Sequence, residues 1–64
     1  MQESGIRHLT PTALAERWNC HVGTLANMRS EGRGPAYLKL GGRVAYRLHD
    51  IEAYEASALV EVSA

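Results

Sequence analysis

This 64-residue chain has a single cysteine, no long apolar run and no Lys or Arg beyond position 47. The one cysteine, Cys20, cannot form an internal disulfide framework. Beside His21 it makes a Cys-His dipeptide with no second cysteine, whereas zinc requires four ligands in spaced pairs, so no metal is expected. No run approaches the roughly 18 apolar residues of a membrane-spanning helix. The opening MQESGIRH has no apolar core of the signal-peptide kind, which predicts a soluble, cytoplasmic protein. There is no nucleophile and base at motif spacing and no phosphate-cradling loop. A single domain of this size buries only roughly 60% of the surface its unfolded chain exposes, which leaves no room for a deep catalytic pocket. Neither an enzyme nor a cofactor is expected. The carboxylates Glu52 and Glu55 read as solvation of a helix surface, with no nucleophile or metal to serve.

What is present is concentrated first in Leu9 to Met28. Thr10 is a helix cap, Pro11 suits the first helical position, and Ala13 to Arg17 are good helix formers, which predicts a helix over Pro11–Trp18. Asn19, Cys20 and His21 form a turn, with His21 standing where a better cap would be, and a second helix starts near Val22. Val22, Leu25 and Met28 recur every three residues and are expected to pack on Leu14 and Trp18. The opposite face, Gly23, Thr24 and Asn27, is small and polar. Two short helices across so tight a turn form a helix-turn-helix arrangement, whose second helix can enter a DNA major groove. A phosphate near its N-terminus would be favoured by the helix dipole.

Net charge is formally zero, yet its distribution is uneven. Residues 29–47 hold Arg29, Arg33, Lys39, Arg43 and Arg47 against Glu31 alone, whereas residues 48–64 hold Asp50, Glu52, Glu55 and Glu61 and no Lys or Arg. A basic middle followed by an acidic end is the pattern of a surface directed at polyanions. Gly32 is placed to stop the second helix, and Arg33-Gly34-Pro35 follows as a turn. Two β-prone runs, Tyr37 to Leu40 and Val44 to Arg47, flank Gly41 and Gly42, a strong hairpin signal. A two-residue loop there pairs Leu40 with Arg43, Lys39 with Val44 and Tyr37 with Tyr46. Tyr37, Lys39, Val44 and Tyr46 then share one face, and Leu38, Leu40, Ala45 and Arg47 the other; the pattern leaves open which one meets the core. Arg43 at the tip is well placed to reach a phosphate or a minor groove.

From His49 the chain returns to helix, with Ile51, Tyr54, Ala58 and Leu59 at helical spacing and expected to pack beneath the hairpin. Leu59, Val60 and Val62 fit either a protein contact or a final turn on the domain's own core. The expected organisation is a loose arm over residues 1–8, a domain over 9–60 and a tail over 61–64. Arg7 and His8 in the arm face either DNA or solvent.

Taken together, the helical corner, Gly32-Arg33-Gly34-Pro35, the run Lys39-Leu40-Gly41-Gly42-Arg43-Val44-Ala45-Tyr46 and Asp50-Ile51-Glu52-Ala53-Tyr54 resemble the winged-helix DNA-binding domains of the MerR superfamily. Phage excisionases and their AlpA-like relatives belong there. The resemblance covers about Leu9 to Tyr54 and implies an α+β, mostly α, winged helix-turn-helix fold. It implies DNA contacts by His21, Gly23, Thr24, Asn27 and Arg29 of the second helix and by Arg43 of the wing, with Arg33, Lys39 and Arg47 completing the basic surface. The chain departs from the family at Asn19-Cys20-His21, where Gly-Val-Ser is common, at Met28, where tryptophan is common, and at Ala45, where a second arginine is common. The implied function is that of an excisionase, which binds and bends attachment-site double-stranded DNA in the bacterial host cell as several adjacent copies and directs a tyrosine-type integrase towards excision. A small AlpA-like transcriptional regulator is the alternative, and a protein-interaction adaptor using the C-terminal helix is the alternative from another class.

Overall fold

In a computed structural model, residues 7–62 are described. They run β1 (His8–Leu9), α1 (Pro11–Trp18), α2 (Val22–Ser30), β2 (Leu38–Leu40), β3 (Arg43–Arg47) and α3 (Leu48–Ala58). The three strands form an antiparallel sheet in the order β1-β3-β2. The architecture is mostly helical and consistent with a winged helix-turn-helix.

Local chemistry sets the ends of the first two helices. The Thr10 Oγ1 accepts a 3.0 Å hydrogen bond from the Ala13 N–H, satisfying a first-turn amide that the helix itself cannot. α1 stops where Asn19 turns left-handed (φ 55°), and the N–H groups of Asn19 and Cys20 then donate to the carbonyls of Glu16 and Ala15. The same device closes α2. Gly32 adopts φ 74°, its N–H donates to Arg29 O, and the Arg33 N–H donates to Met28 O at 2.8 Å. At the start of α2, His21 holds the cap position without a side-chain bond to the helix.

The hairpin has the expected register, with Leu38, Lys39 and Leu40 opposite Ala45, Val44 and Arg43. Gly41 at φ 62° supplies the positive torsion its two-residue turn requires. The core takes the face that carries Tyr46 and Val44. Tyr46 is buried with Leu14, Ala15, Leu25 and Ile51, and Leu9, Trp18, Cys20, Met28 and Val44 pack around them.

Three expectations are corrected. Val22 is 47% exposed and lies outside the core. At 3.6 residues per turn, positions three apart drift around the helix, so Val22, Leu25 and Met28 spread over a broad arc with Leu25 at its centre and Val22 at one edge. Ala58 and Leu59 are exposed as well, because the packed part of α3 ends with Tyr54 and Glu55. Finally, Arg7 and His8, expected in a loose arm, are tied to the sheet. His8 and Leu9 pair with Arg47 and Tyr46, and Leu48 N–H donates to Arg7 O; residues 1–6 of that arm lie outside the described residues.

Glu55 is a further correction, since it does more than solvate α3. Its carboxylate accepts two bonds from Arg17, at 2.7 and 2.8 Å, and a third from the Trp18 indole N–H at 2.7 Å. Trp18 also stacks on Tyr54, with ring centroids 5.7 Å apart. The contacts tie α1 to α3. The Arg17 hydrogen bond, followed by that of Trp18, holds the Glu55 pKa at about 2, against an ordinary value of 4.5. A carboxyl whose pKa is lower folded than unfolded contributes stability above the unfolded value and loses it as pH falls towards the folded one. The melting temperature is therefore expected to fall between pH 4.5 and about 2. In Glu55→Gln the melting temperature at neutral pH should be lower and that acid-dependent fall smaller, as circular dichroism melts will show.

Candidate nucleic-acid interface

His21, Gly23, Thr24 and Asn27 are all exposed. Helical geometry places Gly23, Asn27 and Ser30 on the side of α2 away from the buried Leu25, with Val22 and Ala26 on one flank and Thr24 on the other. No atom lies within 4 Å of where a Cβ on Gly23 would stand, so packing does not dictate the small residue. The face offers an amide at Asn27, hydroxyls at Thr24 and Ser30, and apolar groups at Val22 and Ala26. Amides and hydroxyls pair with base edges, and small apolar side chains fit the thymine methyl. Val22, Ala26 and Ser30 were not expected on it; the available signal was spacing, Ala26 three residues after Gly23 and Ser30 three after Asn27.

The hairpin supplies charge. Paired residues of an antiparallel ladder share a face, so Lys39 leaves on the side of Val44 and Arg43 on the side of Leu40. The tip thus carries one exposed cation on each face, and neither has an ion-pair partner among the described residues.

Four arginines, Arg17, Arg29, Arg33 and Arg47, are engaged within the protein, whereas Arg7 is exposed and has no ion-pair partner among the described residues. Arg33 meets Glu31 at 2.6 Å, with both side chains more than half exposed. Arg47 meets Asp50 at 2.7 Å, and His49 lies 3.5 Å from the same carboxylate. Arg29 is half-buried, and its NH1 donates to the Tyr46 hydroxyl at 2.6 Å. The basic middle and acidic end seen along the chain therefore partly neutralise each other in space at Arg47 with Asp50, and the acidic end is further offset at Glu55 by Arg17 of α1. The structure leaves Lys39 and Arg43, on opposite faces of the hairpin, without an ion-pair partner among the described residues, and gives Arg29, Arg33 and Arg47 internal partners.

Residues 9–58, from β1 to the end of α3, match the family described as the helix-turn-helix domain. The chain belongs to that family. Its members are small DNA-binding proteins and include excisionase-like ones. Neither the curated proteins nor the solved structures contain a match to this chain. As a helix-turn-helix domain, the chain has DNA as its partner, and α1 and α2 are the two helices of the motif. In such domains the second helix lies in the major groove while the first crosses the backbone. Among the described residues no three His, Cys, Asp or Glu side chains are grouped as a metal site would need, and no helix is long and apolar enough to cross a membrane.

Proposed function

We propose that this helix-turn-helix domain reads specific double-stranded DNA with the exposed face of α2 in the major groove, and that Lys39 and Arg43 at the hairpin tip hold the neighbouring backbone or minor groove. In this reading Thr24 and Asn27 meet base edges, His21 and Gly23 allow close approach at the start of the helix, and Val22, Ala26 and Ser30 complete the contact. The observation that carries it is the division of labour on the surface: the recognition helix presents an uncharged, small and polar outer face, and two exposed cations with no ion-pair partner among the described residues stand at the hairpin tip. Arg33 and Arg47 contribute as weaker, internally paired charges.

Within the family, we propose an architectural role of the excisionase type, supported by the Gly32-Arg33-Gly34-Pro35 turn and the glycine-flanked Arg43. The protein would bind attachment-site DNA as adjacent copies and bend it so that a tyrosine-type integrase excises rather than inserts. Bending a short site costs on the order of 1 to 6 kcal/mol, which contacts from several copies offset. The apolar side chains of Leu59, Val60 and Val62, 65 to 87% exposed, support a protein contact at this end of the chain, with a neighbouring copy or the integrase. A small AlpA-like regulator would use the same DNA face at a promoter.

Electrophoresis of duplexes carrying an attachment region at permuted positions tests the architectural role. The expected result is preferential binding over a shuffled duplex and mobility that depends on the position of the site, followed by integrase-dependent excision on addition of the protein. Specific binding without a bend or excision would favour the regulator.

A further inference from the structure

Arg29 sits in the last turn of α2, and its guanidinium carbon lies 5.7 Å from the ring centroid of Tyr37 and 6.0 Å from that of Tyr46. The two rings are 6.2 Å apart at 57°, and the guanidinium lies beside both while its NH1 donates to the Tyr46 hydroxyl. Tyr37 directly precedes β2 and Tyr46 lies in β3, which makes this pair the base of the hairpin. No other hydrogen bond among the described residues joins α2 to the hairpin. A planar guanidinium with several donors in a fixed fork suits such a task better than a point charge does.

We infer that Arg29 is a positioning residue: it locks the hairpin to the recognition helix, and its effect on DNA binding is exerted through Arg43 rather than through a contact of its own. The inference rests on the proposal that Arg43 meets DNA. A hairpin is marginal by itself, so the angle at which its tip meets a duplex depends on what holds its base. Tyr46 is buried in the core, whereas Tyr37 is 42% exposed and lies against Arg29. Without Arg29 the strand register and the packing of Leu25 with Tyr46 persist, but the polar link between the reading helix and the base of the hairpin is lost.

A double-mutant cycle tests this. Wild type, Arg29→Met, Arg43→Ala and the double variant are titrated by fluorescence anisotropy against a duplex selected from a randomised pool, at several salt concentrations, with thermal melts confirming that each is folded. Arg29→Met should weaken binding about tenfold, the scale of one charge-assisted hydrogen bond, with any fall in the salt slope no larger than that of Arg43→Ala. In the Arg43→Ala background the same replacement should have less than about a twofold effect. Tyr46→Phe keeps the buried ring and removes only the acceptor; it should show a smaller loss that likewise vanishes without Arg43. Multiplying effects of Arg29→Met and Arg43→Ala, or a salt slope that Arg29→Met reduces further in the Arg43→Ala background, would overturn the inference and make Arg29 a direct phosphate contact. If Arg43→Ala binds as wild type does, the proposed DNA contact at the tip fails and the inference falls with it.

Discussion

Arg43→Ala is expected to bind every duplex more weakly, preferred and shuffled alike, and to reduce the slope of log affinity against log salt by about one. Asn27→Ala should behave in the opposite manner, losing roughly 1 to 3 kcal/mol on the preferred duplex and little on the shuffled one. The contrast follows from chemistry. Arg43 is an exposed cation with no ion-pair partner among the described residues, so its interaction with a phosphate is charge-driven, releases counterions and carries no sequence information. The Asn27 amide is exposed, uncharged and opposite the buried side of α2, where two donors and an acceptor can distinguish one base edge from another. Anisotropy titrations of both variants on both duplexes check this, and equal losses on the two duplexes for Asn27→Ala would place the reading face elsewhere.

Leu14→Ala should cost roughly 2 to 5 kcal/mol of folding stability. Leu14 is fully buried at the meeting of α1, α2, β3 and α3, packed with Leu25, Tyr46 and Ile51. A domain of this size holds only about 3 to 10 kcal/mol in all, so the variant is expected to be partly or wholly unfolded at 37 °C. Urea unfolding should show a lower midpoint at an unchanged slope. Val22→Ala is the control. It removes a comparable apolar group from an exposed position, and its stability should stay within about 0.5 kcal/mol of wild type. A large loss at Val22 would contradict the placement of that side chain on the outer edge of α2.

What could be read in the sequence was whatever depended on neighbours in the chain. Thr10, Pro11 and Asn19 bound α1 through interactions within a few residues, and the Gly41-Gly42 pair defines both the turn and the register of the hairpin. Strand β1 escaped notice because two residues carry no period and their partner, β3, is far along the chain. Glu55 looked like a solvated acid because Arg17, which binds it, stands 38 positions earlier. The same reason hides the role of Arg29. A basic residue at the end of a recognition helix invites a DNA contact, and only the approach of Tyr37 and Tyr46 shows that its charge is engaged inside the protein. Along the chain, Arg33, Lys39, Arg43 and Arg47 look equivalent; in space Glu31 and Asp50 separate them into paired and free.

The most direct test of the proposed interface is a map of the surface that DNA touches. A two-dimensional NMR titration of the labelled domain with a selected duplex should perturb the amides of Val22, Gly23, Ala26, Asn27 and Ser30 on α2 and those of Gly41, Gly42 and Arg43 at the tip. The outer positions of α3, Glu52 and Ala56, should stay unmoved. Perturbations centred on α3 and the chain beyond it, with α2 and the hairpin tip silent, would contradict the proposed interface.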